Sequence, residues 1–257
     1  GPGPELKISV HSLSEKKNDE AARRALDELQ LDMRRQGSSI VVTARNPRET
    51  GVRFIWQDQT MLDLEFDVTV PATCNLDLRT GDGGITVGNL TGTMRARTDT
   101  GTIFFRQIDG SVDARANSGD IVVSRCSGPV TLKTVRGDVQ IGTVGGQAVL
   151  ETVNGDIEVQ TARAQIVAKA ADGNITAGFA TITGESSIRT AVGNITATVN
   201  PEEACSIHAT SLWGKIFSKL PVQAVSGGNG HSKLVGKYNG GGPLIELDAS
   251  GSYVKIK

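Results

Sequence analysis

The stretch Gly101-Thr-Ile103-Phe-Phe105-Arg-Gln-Ile108-Asp109, followed at once by Gly110-Ser-Val112-Asp-Ala114-Arg-Ala116-Asn-Ser118, decides the fold. It holds eighteen residues in two halves of nine, and each half opens on glycine and continues as an apolar/polar alternation. Residues two apart in a strand face the same way. Ile103 and Phe105 therefore point inward from one strand, Val112, Ala114 and Ala116 inward from a second, with Ile108 in the turn between.

The unit recurs along the chain. Gly83, Gly101, Gly119, Gly137, Gly155 and Gly173 are eighteen residues apart, and Gly193 and Gly214 follow after longer steps. A second column, Gly92, Gly110, Gly128, Gly146 and Gly184, is interrupted by Ala164. Self-similarity at a fixed short period marks a stacked-repeat architecture. One coil cannot bury its own apolar face, so coils must stack, each strand pairing with its equivalent about 4.8 Å away. Small residues in the column Thr98, Ala116, Thr134, Thr152, Ala170 and Thr190 let two sheets lie close, which suits a chain with only 4% aromatic residues. The predicted fold is all-β: an elongated two-sheet parallel β-solenoid (β-helix) with 18-residue coils, roughly eight to ten of them, and one N-terminal α-helix. A triangular three-sheet helix is the alternative, but no hexad repeat of aliphatics is visible.

The helix is expected ahead of the repeats. Asn18-Asp19 offers an N-cap, Ala22, Ala25, Leu26, Leu29 and Met33 fall at helical spacing, and Gly37 ends the run. Its expected place is over an open end or edge of the sheet body. Residues 1–4 (Gly-Pro-Gly-Pro) read as an expression scar, with a native leader or anchor removed. Residues 5–80 read as N-terminal strands and helix forming the solenoid start and cap, and 81–257 as the solenoid repeats of the same single domain. Gly240-Gly-Gly-Pro243 to Ile256 repeats the coil pattern and is expected to be its last coil, with an exposed strand around Val254 suited to end-to-end association.

Formal net charge is -1, which argues against a specific nucleic-acid partner, and no apolar run is long enough for a transmembrane helix. Three cysteines show no metal-type spacing, and Cys126 occupies a column otherwise held by small hydrophobes. No cofactor is expected.

Several strings together carry a resemblance: Leu64-Glu-Phe-Asp-Val-Thr-Val-Pro71 running into Leu76-Asp-Leu-Arg-Thr80, the reiterated Thr152-Val-Asn-Gly-Asp-Ile157 type, and the terminal Gly240-Gly-Gly-Pro243 with Ser250-Gly-Ser-Tyr-Val254. In these the chain resembles a bacterial adhesin-like β-strand-repeat family of domains of unknown function, over about residue 18 to the end. The resemblance implies a cell-envelope protein, periplasmic or on the extracellular surface, acting as a binding or structural scaffold. It implies no catalytic residues.

Features that look functional in isolation have plainer readings. Asp120, Asp138 and Asp156, continued by Asn174 and Asn194, form a column, but calcium-binding rolls need aspartates in both half-turns. Arg136-Gly137-Asp138 is one coil's version of the x-Gly-Asp motif. His11, His208 and His231 are scattered and form no nucleophile triad. What remains is an outward column reading Arg97, Arg115, Lys133, Glu151, Lys169, Arg189, with Arg95 beside it, opposite a face of acidic and polar residues. A basic ladder at strand spacing can track an anionic polymer. The expected partner is an anionic polysaccharide or other envelope component, met through Arg95, Arg97, Arg115, Lys133, Lys169 and Arg189 without catalysis. Self-association through the solenoid ends is the second reading. A β-helix carbohydrate-active enzyme is the third, disfavoured because acids and bases fall on opposite faces.

Overall fold

The computed structural model describes residues 7–12, 29–37, 39–45, 64–222, 224–226 and 232–257. They fall into two units, 1–71 and 72–257. All regular structure among the described residues is β-strand.

The second unit is a parallel β-solenoid built from two sheets. Its first rung is Leu76–Asp82 with Ile85–Thr91, and its second is Met94–Thr100 with Ile103–Asp109. Five more follow in chain order, the seventh being Ser186–Val192 with Ile195–Val199. Each strand pairs in parallel with its equivalent one rung on, as in Ile121↔Ile103 and Val130↔Val112. Ile, Val, Leu and Ala from both sheets fill the space between them, and the largest fully buried side chains include Phe105, Ile103, Ile121, Leu132 and Ile157. Ile108 lies within a strand as well as at the corner: Arg106 and Gln107 both face out before it turns back in.

Two devices make the stack possible. Gly119 has φ 141°, a conformation L side chains rarely adopt, and a Cβ there would stand 2.1 Å from the Gly101 carbonyl oxygen. The glycine column thus serves backbone twist and close rung contact together. The buried threonines of the small-residue column are satisfied across rungs: Thr134 Oγ1 donates to the Gly119 carbonyl at 2.9 Å and Thr152 Oγ1 to the Gly137 carbonyl at 3.0 Å. A hydroxyl in the core is tolerated because it is bonded.

Rung order breaks after Val199. Cys205–Ser211 and Ile216–Ser218 do not pair with the seventh rung. The later strands Leu244–Ala249 and Val254–Ile256 occupy that place, pairing on one side with Ser186–Val192 and Ile195–Val199 and on the other with Cys205–Ser211 and Ile216–Ser218. In space, the eighth rung is therefore the last in sequence and the ninth precedes it. Beyond the ninth, Ser232–Tyr238 pairs antiparallel with Cys205–Ser211, and Ala224–Ser226 closes that sheet. The expected exposed strand at Val254 is thus corrected: Val254 is fully buried and its strand is paired on both sides. Seven turns run in chain order, and the final two rungs are interleaved beyond them.

The first unit holds two antiparallel pairs, Lys7–Ser12 with Leu64–Thr69 and Gln30–Gln36 with Ser39–Arg45. The second pair corrects the predicted helix over its described part. Leu31, Met33 and Arg35 alternate with Asp32 and Arg34 at period two, and Gly37, at φ 62°, opens a tight reversal that sets Gln36 opposite Ser39. Gly37 is a hairpin residue, not a helix end. The earlier part of that run, through residue 28, lies outside the described residues.

Candidate functional site

The eighteen-residue period fixes strand register, and the predicted basic column forms as expected. Arg97 pairs with Arg115, Arg115 with Lys133, Lys133 with Glu151, Glu151 with Lys169 and Lys169 with Arg189, all on the outward face of the eleven-stranded sheet. Two residues extend it that the sequence reading missed. Arg79 precedes Arg97, and Asp248 follows Arg189 across the inserted rung. Arg95 stands one column over, between Asp77 and Asp113.

The expected separation of charge between two faces is corrected by those neighbours. Asp77, Asp99, Asp113, Glu151, Glu246 and Asp248 share this face with the cations. Arg79 bonds Asp77 at 3.0 Å, Arg115 reaches Asp113 at 3.4 Å, Lys133 meets Glu151 at 2.8 Å and Arg189 meets Glu246 at 2.5 Å. Like charges directly opposite on adjacent strands are unfavourable, and an acid beside each of these cations relieves that. The hydrogen bond from Arg79 holds the Asp77 carboxyl below its ordinary range, against an opposing effect of burial, with Arg97 and Arg95 adding to the lowering. Arg189 does the same for Glu246. Among the described residues, Arg95, Arg97 and Lys169 make no ion pair.

The aspartate column has a structural task. Asp120 Oδ1 accepts from the Asp138 N–H, and Asp156 Oδ1 from the Asn174 N–H, one rung on each time. One oxygen of each of these carboxylates is committed to the backbone, and among the described residues no three His, Cys, Asp or Glu side chains group as a metal-ligand set. Arg136-Gly137-Asp138 lies in the corresponding turn between the two strands of the fourth rung, with Gly137 stacked on Gly119. Cys126 is buried, its thiol raised by burial, and Cys205 is buried likewise. His208 sits between Glu246 and Val235 on neighbouring strands, its Nε2 buried without a hydrogen-bond partner. His231 lies outside the described residues.

A cavity of about 320 Å³ is lined by Thr210, Leu212, Lys233, Asp248 and Ser250, next to the Arg189 end of the column, and within the first unit another of about 320 Å³ lies on the hairpin around Asp32, Arg34 and Thr43. No helix of the described residues is long and apolar enough to cross a membrane.

Neither a curated protein nor a solved structure matches the chain. Residues 125–251, which run from the end of the third rung to the first strand of the inserted eighth, match the family described as Toastrack DUF4097, a domain of unknown function.

Proposed function

We propose that the protein is a non-catalytic scaffold of the cell envelope whose outward face on the eleven-stranded sheet contacts an anionic polysaccharide. One observation carries the reading. Arg79, Arg97, Arg115 and Lys133 stand in register on four successive strands. Their spacing is about 4.8 Å. Folding alone disfavours such a row, and acids pair directly with three of its members, whereas Arg97, and Arg95 between Asp77 and Asp113, form no ion pair among the described residues. The contact is therefore centred on Arg95 and Arg97, with Arg115, Lys133, Lys169 and Arg189 as its continuation. The interleaved carboxylates make it weak and strongly salt-dependent. The envelope location rests on the family resemblance alone.

Retention on immobilised acidic polysaccharide at low ionic strength tests the proposal. The unaltered protein is expected to be retained and released by moderate salt, and Arg95→Glu with Arg97→Glu to pass through. Absence of retention at low salt, or retention indifferent to the two reversals, overturns the binding reading. Turnover in a glycan-degradation assay overturns its non-catalytic part. Self-association through the solenoid ends has less support, because an antiparallel hairpin covers the ninth rung of one sheet.

A further inference from the structure

The outward face of the nine-stranded sheet changes character over its last two rungs. On the eighth, Tyr253, Lys255 and Lys257 alternate with buried Val254 and Ile256. On the ninth, exposed Lys215, Phe217 and Lys219 alternate with half-buried Ile216 and Ser218. The strands are in register, Phe217 opposite Lys255, and the pairing continues through Lys219 N–H to the Ile256 carbonyl at 2.9 Å. The seventh rung presents only Asn194, Thr196 and Thr198 to this face. Lys215, Lys219, Lys255 and Lys257 thus have no carboxylate on that face across three rungs, and they make no ion pair among the described residues. That is the reverse of the arginine column, where acids interleave.

Apolar side chains stand among these lysines. Phe217 and Tyr253 meet edge to face at 6.4 Å while both stay exposed. The turn between the two strands of the ninth rung carries Leu212 and Trp213 in succession, the tryptophan 80% exposed, and Val192 ends the seventh-rung strand at the equivalent corner. Lysines alone on a short edge strand would guard it against pairing with another sheet. That task does not require an exposed tryptophan, phenylalanine and leucine beside them. Sugar hydroxyls gain nothing from Leu212 and Val192, whereas the boundary between lipid headgroups and acyl chains does accept such side chains, and lysines complement lipid phosphates.

We propose that this corner docks the protein on an anionic phospholipid surface, Leu212 and Trp213 entering the headgroup boundary and the four lysines facing lipid phosphates. The protein lies on the bilayer through this corner. The lysines lie on the other sheet from the arginine column, Leu212 borders the cavity that Asp248 also lines, and the proposal does not depend on the polysaccharide reading.

The test uses the full chain with vesicles of phosphatidylcholine, with and without phosphatidylglycerol. Binding is expected only with phosphatidylglycerol and is expected to weaken with salt. With Trp56 replaced by Phe so that Trp213 is the single tryptophan, brominated lipid quenches its emission. Lys215→Glu with Lys255→Glu lowers affinity more than tenfold, removal of each lysine alone accounting for about fivefold. Arg95→Glu with Arg97→Glu leaves vesicle binding unchanged, which separates this site from the polysaccharide contact. All the charge-reversed positions are exposed or half-buried, so circular dichroism is expected to show intact folding in each reversal. Absence of binding to phosphatidylglycerol vesicles at low salt, binding undiminished by the lysine reversals, or an unquenched Trp213 overturns the proposal. So does retention of an acidic polymer by these lysines without vesicle binding.

Discussion

The carboxylate of Asp138 accepts a hydrogen bond from the backbone N–H of Asp156 at 2.8 Å, one turn of the solenoid further along the chain. Asp138 itself donates to Asp120 in the same way. At this corner the backbone N–H finds a side-chain oxygen in place of a carbonyl, so the turn residue must be an acceptor of aspartate length. Asn174 continues the ladder by offering its amide oxygen to the Asn194 N–H at 3.0 Å.

Asp138→Asn is therefore expected to shift unfolding free energy by less than about 0.5 kcal/mol, whereas Asp138→Ala costs about 0.5–1.5 kcal/mol by stranding the Asp156 N–H. Urea denaturation of the two variants decides it. Equal losses would show that the carboxylate acts by charge and not as an acceptor.

Gly119 and Gly83 separate two reasons for glycine in one column. Both have positive φ, at 141° and 123°, but a Cβ on Gly83 would meet nothing nearer than Thr80 Oγ1 at 3.8 Å. On Gly119 it would collide with the Gly101 carbonyl. Gly83→Ala should cost about 1–2 kcal/mol from backbone strain alone. Gly119→Ala should cost at least about 2 kcal/mol more from overpacking. Thermal melts giving the same loss at both sites would remove rung contact as a cause.

Leu247 is fully buried on the inserted rung. Leu247→Ala should destabilise by about 2–5 kcal/mol. Its distribution is the sharper test. Hydrogen exchange is expected to quicken in Cys205–Ser211, the strand that leans on the inserted one, well before Val139–Val144 in the middle of the stack. Uniform loss of protection would contradict the interleaved order.

The ion pair between Arg189 and Glu246 ties the inserted rung to the seventh. Its carboxyl titrates below the ordinary value of 4.5, chiefly through the Arg189 hydrogen bond. The stabilisation is therefore complete above that pH and fades as pH falls through the lower folded value. Melting temperature should drop more steeply below pH 4.5 in the unaltered protein than in Glu246→Gln, with the two profiles parallel above it. Parallel profiles throughout would show that the pair contributes nothing. The effect is small, since both side chains are partly solvated.

The fold was legible wherever the period was regular. Glycine spacing and alternation such as Ile103-Phe-Phe105 specify strands, faces and register, so the alignment of Arg97 with Arg115 and Lys133 could be read directly. The partners of those cations were less legible: Arg189 meets Glu246 only because a distant segment lies beside it. Rung order was hidden for the same reason. Leu244–Ala249 carries the same alternation as any other rung, and nothing local says which neighbours it takes. The stretch before Gly37 misled because Leu29 and Met33 satisfy a helical period while Leu31, Met33 and Arg35 satisfy an extended one. Cross-strand pairing with Ser39–Arg45 decides between them. The lysine corner had a signal that went unread, the alternations Lys215-x-Phe217-x-Lys219 and Tyr253-x-Lys255-x-Lys257. Only the interleaving brings the two together.

That interleaving also limits how the molecule can be assembled. Through Val199 each newly made turn can zip onto the one before it, in the order of synthesis. The next segment, Cys205–Ser211, has no finished surface to join, because its seat is built from residues that emerge some forty positions later. Growth by simple addition therefore stops at the seventh rung, and completion is a single closing event in which the waiting strands and the latecomers lock one another in place.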